Sequence, residues 1–162
     1  MKIFIVLLLL PVFYACNNSS DDMALLQRRV DSLDNKVSDM YKPGFGEFMS
    51  MIQVHHDKLW YAGTNKNWKL ADFEVDEIKE IFGDIKTYRS ERKESQMISM
   101  IYPALDSVSA ALDQKNLSMF KNSFSFLTKT CNNCHHVVNY EFNVVKIPDM
   151  PPIGNQDFSV KQ

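Results

Sequence analysis

Five residues near the C-terminal end, Cys131-Asn132-Asn133-Cys134-His135, bring together paired thiols and an imidazole. Two thiols three residues apart can each form a thioether to a vinyl group of haem, and the histidine directly after the second Cys is then placed to ligate the iron. On a helix, positions i, i+3 and i+4 project from one face, so a single turn presents both anchors and the ligand. The Cys-x-x-Cys spacing also serves thiol–disulfide exchange and half of a zinc site. A redox pair of the thioredoxin kind belongs beside a βαβ unit, and nothing in this sequence alternates strand and helix. For zinc, Cys131, Cys134, His135 and His136 would have to supply the ligands. Ligands drawn from consecutive residues cannot easily surround one tetrahedral ion. One covalently bound haem c is the expectation.

The N-terminus bears on compartment. Met1 and Lys2 precede an uncharged stretch, Ile3 to Ala15, ending in Phe13-Tyr14-Ala15-Cys16 and followed by polar Asn17, Asn18, Ser19 and Ser20. That stretch has the length of a signal-peptide hydrophobic region and falls short of the roughly 20 residues a transmembrane helix needs. A small residue followed by Cys at this point is similar to a bacterial lipobox, with Phe13 in place of the usual Leu. Cys16 is therefore expected to be lipidated; the alternative is an ordinary cleavage nearby that leaves it as a free thiol. The chain has three Cys, one for lipid and two for haem. Haem attachment belongs to the exported side of a bacterial membrane, so both signals imply one localisation: exported and lipid-anchored, on the periplasmic side or the outer-membrane surface.

The positioning elements read as helices. Residues 1–15 form the signal, 16–43 a lipidated tether with a short heptad helix, and 44–162 a haem-binding domain of common single-domain size. With 5 Gly, 11 Phe and 9 Met, the composition suits helices with bulky, adaptable cores. A net charge of −2 without a long basic run excludes nucleic acid as an expected partner. Leu26, Val30, Leu33, Val37 and Met40 follow heptad spacing, which suits either a stalk above the lipid anchor or a homodimer through residues 25–40. Pro43-Gly44 breaks that segment. Four helices are expected beyond it: about Phe45–Ala62, ended by Gly63-Thr64-Asn65; Trp68–Lys93; Pro103–Gln114; and Asn116–Val138, with Asn116 as N-cap. Short links favour an all-α, antiparallel four-helix bundle. The Pro-rich tail, Ile147 to Gly154, cannot be helical and is expected to run extended across the bundle, over the haem edge.

Leu117, Phe120, Phe124, Leu127, Cys131, Cys134 and Val138 form one seam, so both Cys continue a buried stripe. In an up-down bundle the end of the last helix lies beside the start of the first, which makes Met49 the expected second iron ligand. Met51 lies about 200° round the helix from it. The alternative for Met49 is a core thioether beside a five-coordinate haem. His56 reads as a buried histidine bonded to a neighbour, or as a ligand; with Gln53, one turn away, it forms a polar pocket wall. His136 points elsewhere, toward solvent. Trp60, Tyr61 and Trp68 are expected to pack together at the opposite end.

The blocks Gly46-Glu-Phe-Met-Ser50, His56-Asp-Lys-Leu-Trp60-Tyr-Ala-Gly63, Asn67-Trp68-Lys-Leu-Ala71-Asp-Phe-Glu74, Cys131 to His135 and Asn155-Gln-Asp-Phe158 resemble small bacterial mono-haem cytochrome c family proteins. These in turn resemble four-helix-bundle cytochromes of the c-prime type. The resemblance covers residues 44–158 and implies that Cys131 and Cys134 attach haem and that His135 is the proximal ligand. Met49 and His56 fall within its blocks, and Gln53, between the first two, is part of the same pattern. The lipobox and heptad segment are additions to the pattern. The expected function is electron transfer with a redox partner protein, without enzymatic activity. The alternatives are gas binding at a five-coordinate haem, a peroxidase-like site using His56, and structural zinc.

Overall fold

A computed structural model describes residues 18–40, 43–152 and 154–160. The signal stretch and Cys16 lie outside the described residues. The chain divides into two units, Met1–Lys42 and Pro43–Gln162. The first contains helix α1 (Asn18–Met40), whose heptad residues are exposed.

The second unit is all-α among its described residues. Its helices are α2 (Phe45–Thr64), α3 (Trp68–Tyr88), the short α4 (Lys93–Met97), a 3₁₀ turn at Ile98–Ile101, α5 (Tyr102–Asp113) and α6 (Leu117–Val137). Helix α2 packs on α3, α3 on α5, α5 on α6 and α6 back on α2, closing a ring of four around one core. Along the α2–α6 seam Trp60 stacks on Phe120, and His56 sits 4.4 Å from Phe124 and bonds to Thr128. Numbers rise on one helix as they fall on the other, so the two run antiparallel. Gly63 lies inside α2, and a Cβ there would overlap the fully buried Phe120 ring. Its missing side chain is what lets the helices approach, and α2 ends within the expected Gly63-Thr64-Asn65 stretch, at Thr64 with Asn65 as C-cap.

The helix ends follow local chemistry. The Asn116 side chain accepts from the backbone N–H groups of Ser118 and Met119, capping α6. Asn67 caps α3 through Leu70. Three helices end in Schellman turns with a left-handed residue: Lys66 (φ 58°), Lys115 (φ 49°) and Asn139 (φ 63°). Helix α3 stops at Tyr88, five residues before the expected Lys93. Its buried stripe, Val75, Ile78, Phe82 and Ile85, ends there, and the polar run that follows offers no apolar face to continue the helix. Instead Arg92 N–H bonds to the Arg89 carbonyl and Ser95 Oγ donates to the same oxygen, forming a turn. Between α2 and α3, His55 Nδ1 lies 2.7 Å from Oε2 of the fully buried Glu74.

After α6 the chain has no regular secondary structure through residue 152. It returns past the end of α6, and further on the Asn67 side chain donates to the Ser159 carbonyl while Phe158 packs on Tyr61. The tail therefore runs extended along the bundle. Trp60 and Trp68 pack against the core at the end where α2 turns into α3.

Candidate functional site

The last turns of α6, the first turns of α2, the α4–3₁₀ connection and the returning tail surround one cavity of about 820 Å³. That lies toward the upper end of small-molecule cavities. Its walls carry Cys131, Cys134 and His135 from α6, and Met49, Gln53 and His56 from α2. Every residue that the sequence assigns to the haem site within the described chain thus borders a single space. Phe45, Ile52, Phe82, Ile98 and Ile101 supply apolar wall. Met51 is exposed and is not on the lining, and His136 is exposed.

The α6 seam explains the thiols. Cys131 and Cys134 are half-buried, packed against the core as continuations of the Phe120, Phe124 and Leu127 stripe. Burial, then the neighbouring Cys134, pushes the Cys131 thiol up to about 12, and burial also raises Cys134. Thiol–disulfide exchange depends on an available thiolate, so this pair is poorly suited to it. Among the described residues no three His, Cys, Asp or Glu side chains converge as metal ligands.

His135 is oriented by the tail. The Asn139 Schellman turn reverses the chain, and the Asn143 carbonyl comes to lie 2.6 Å from His135 Nδ1. A carbonyl only accepts, so Nδ1 carries the proton and donates, leaving the lone pair on Nε2. The returning segment is fixed by Asn132, one of the two residues between Cys131 and Cys134. Its Nδ2 donates to the Val145 carbonyl (2.7 Å) and its Oδ1 accepts the Val145 N–H (2.8 Å).

His56 is buried. The Thr128 hydroxyl donates to the Phe124 carbonyl (2.9 Å), so the His56 Nε2–H donates to Thr128 Oγ1 (3.0 Å). Burial lowers its pKa from 6.5 to about 4, keeping the ring neutral. The bonded-histidine alternative is the arrangement found. His55 turns to Glu74 and is not on the lining.

Three further features complete the cavity. Asp57 is on the wall with a buried Oδ1 that has no hydrogen-bond partner; burial, then Asp149, raises its carboxyl above the usual range. Arg92, paired with Glu94 at 2.7 Å and lying over the Phe45 ring, and Lys146, paired with Asp149, place cations on the lining. Val144 to Pro152 form the outer wall. The tail, residues 147–154, is expected from the sequence to cover this end; for Asp57 the one signal is that it follows His56, and Arg92 carries none.

The donor set fits a haem: two thiols on one helical face, an imidazole with its lone pair on Nε2, and apolar walls for a flat ring. Comparison with family models, with curated proteins and with solved structures finds no match to this chain. Among the described residues no helix is long and apolar enough to cross a membrane.

Proposed function

We propose that this protein is a mono-haem cytochrome of the c type that transfers single electrons at a membrane surface, held there by lipid on Cys16. The observation that carries this reading is the His135 Nδ1–H given to the Asn143 carbonyl, with both thiols beside it on one apolar cavity. Metal-binding histidines usually donate their second nitrogen in this way, which fixes the tautomer and aims the other nitrogen at the metal. A bound haem supplies a reversible one-electron iron couple.

Cys131 and Cys134 hold the haem covalently, and His135 ligates through Nε2. Met49, on the α2 wall, supplies the second ligand, and a thioether there raises the potential. Arg92 and Lys146 would meet the ring's carboxylates only by giving up or sharing their pairs with Glu94 and Asp149. His56 and Gln53 line the wall. His56 acts as packing, because its Nε2–H is already given to Thr128. That makes it a poor acid–base group for peroxide chemistry, which supports a carrier over an enzyme.

Optical spectra of the exported protein, with and without carbon monoxide, test the reading. A low-spin reduced spectrum that carbon monoxide leaves unchanged is expected. Met49→Ala should become high-spin and bind the gas. Rapid carbon monoxide binding by the unaltered protein would refute the Met49 ligand and make gas binding the function.

A further inference from the structure

We propose that α1 is a dimerisation helix: two copies of this chain pair through Asn18–Met40 as a parallel, in-register coiled coil. This rests on the sequence and exposure of α1 and, for orientation, on the lipid anchor proposed at Cys16; it is independent of the haem reading. The helix has 23 residues, about 35 Å of length. Met23, Val30 and Val37 occupy the first core position of each heptad, and Leu26, Leu33 and Met40 the second. All six are exposed on the single chain, from Val30 at 46% to Met40 at 86%. A polar helix gains most of its stability from packing its apolar face, so this seam calls for a partner.

The residue types choose which partner. Valine at the first core position with leucine at the second favours two parallel strands. The flanking charges agree. Arg29 lies at the position just before the Val30 layer, and Asp34 five residues on, on the other flank of the seam. In a parallel, in-register dimer these two positions face each other across the seam, so Arg29 meets the partner's Asp34 twice by symmetry. An antiparallel pairing would instead set that flank (Asp22, Arg29, Lys36) against itself, so Arg29 would lose Asp34 and face its own copy or another residue of the same flank. Among the described residues neither Arg29 nor Asp34 has an ion-pair partner on its own helix. Parallel pairing also brings both N-termini to one end, as two lipid anchors at Cys16 in one membrane require. Confinement to that membrane raises the effective concentration of so short a coil.

The test is thiol crosslinking of the full chain in membranes with copper phenanthroline. Val30→Cys, in the seam, should give a reducible dimer, whereas Asn35→Cys, on the outer face, and the unaltered chain should not. Arg29→Asp should reduce the Val30→Cys crosslink several-fold, and adding Asp34→Arg should restore it. Equal crosslinking at positions 30 and 35, or none at 30, would overturn the proposal. So would efficient crosslinking between separately tagged Leu26→Cys and Val37→Cys chains, which marks an antiparallel pair. Sedimentation of the detergent-solubilised chain as a monomer at every concentration would also overturn it.

Discussion

Replacing Asn132 with Ala tests how the site is built. Asn132 makes two bonds to the Val145 backbone, at 2.7 and 2.8 Å, across thirteen residues of sequence. Each such bond contributes about 0.5–1.5 kcal/mol, and truncation leaves the half-buried Val145 N–H and carbonyl without these partners. The loss should be about 2 kcal/mol, or roughly 5–10 °C in Tm for a domain of this size. Alanine favours helix more than asparagine does, so part of the loss is masked. Asn133→Ala, exposed and one position along the same helix, carries that gain without the bonds and is the proper reference. Denaturant unfolding of both variants gives the difference, and hydrogen exchange at the Val145 amide locates it. Because the same strand carries the Asn143 carbonyl onto His135, the Val145 amide and the His135 ring should both lose protection and order in Asn132→Ala. An Asn132→Ala protein as stable as Asn133→Ala, with Val145 still protected, would refute the view that Asn132 pins the tail.

Two further outcomes follow from the bundle. Gly63→Ala places a Cβ inside the fully buried Phe120 ring and should cost about 1–3 kcal/mol by overpacking, read as a lower denaturant midpoint at unchanged slope. His56 is held neutral in the fold with a pKa near 4 against 6.5 when unfolded, so the unfolded chain binds the proton first. Stability should therefore be unaffected above pH 6.5, fall as pH drops from 6.5 toward 4, and level off below, for a total on the order of 3 kcal/mol. His56→Gln should flatten that slope, and an identical pH profile in both proteins would contradict the burial argument.

Where periodicity was strong, the sequence was enough. The Leu117–Leu127 stripe with its Asn116 cap placed α6 and both thiols, and counting residues on α2 separated Met49, on the cavity wall, from Met51, which is exposed. Helix ends were less legible, because one residue type has several uses. Gly63-Thr64-Asn65 does mark the end of α2, yet Gly63 itself also serves close packing against Phe120, while the left-handed positions fall to Lys66 and Lys115, which carry no such signal. Helix α3 ends early because its apolar face ends, although the polar residues that follow are compatible with helix. The Pro-rich tail was legible as a cover for the cavity end, but the polar contacts around the cavity were not. Lys146 and Asp149 join Asp57 and Arg92 on the cavity wall only because the tail returns, and that return is held by Asn132 bonding to Val145 thirteen residues on, which no spacing rule describes.

Mass spectrometry of the exported chain under denaturing conditions, with Cys131→Ser/Cys134→Ser alongside, tests the covalent haem most directly. The unaltered chain should carry the mass of one haem that survives unfolding and acid extraction, and the double variant should lose it. An unaltered chain that unfolds to its bare polypeptide mass, or whose bound group leaves with the denaturant, would contradict a c-type centre at Cys131, Cys134 and His135.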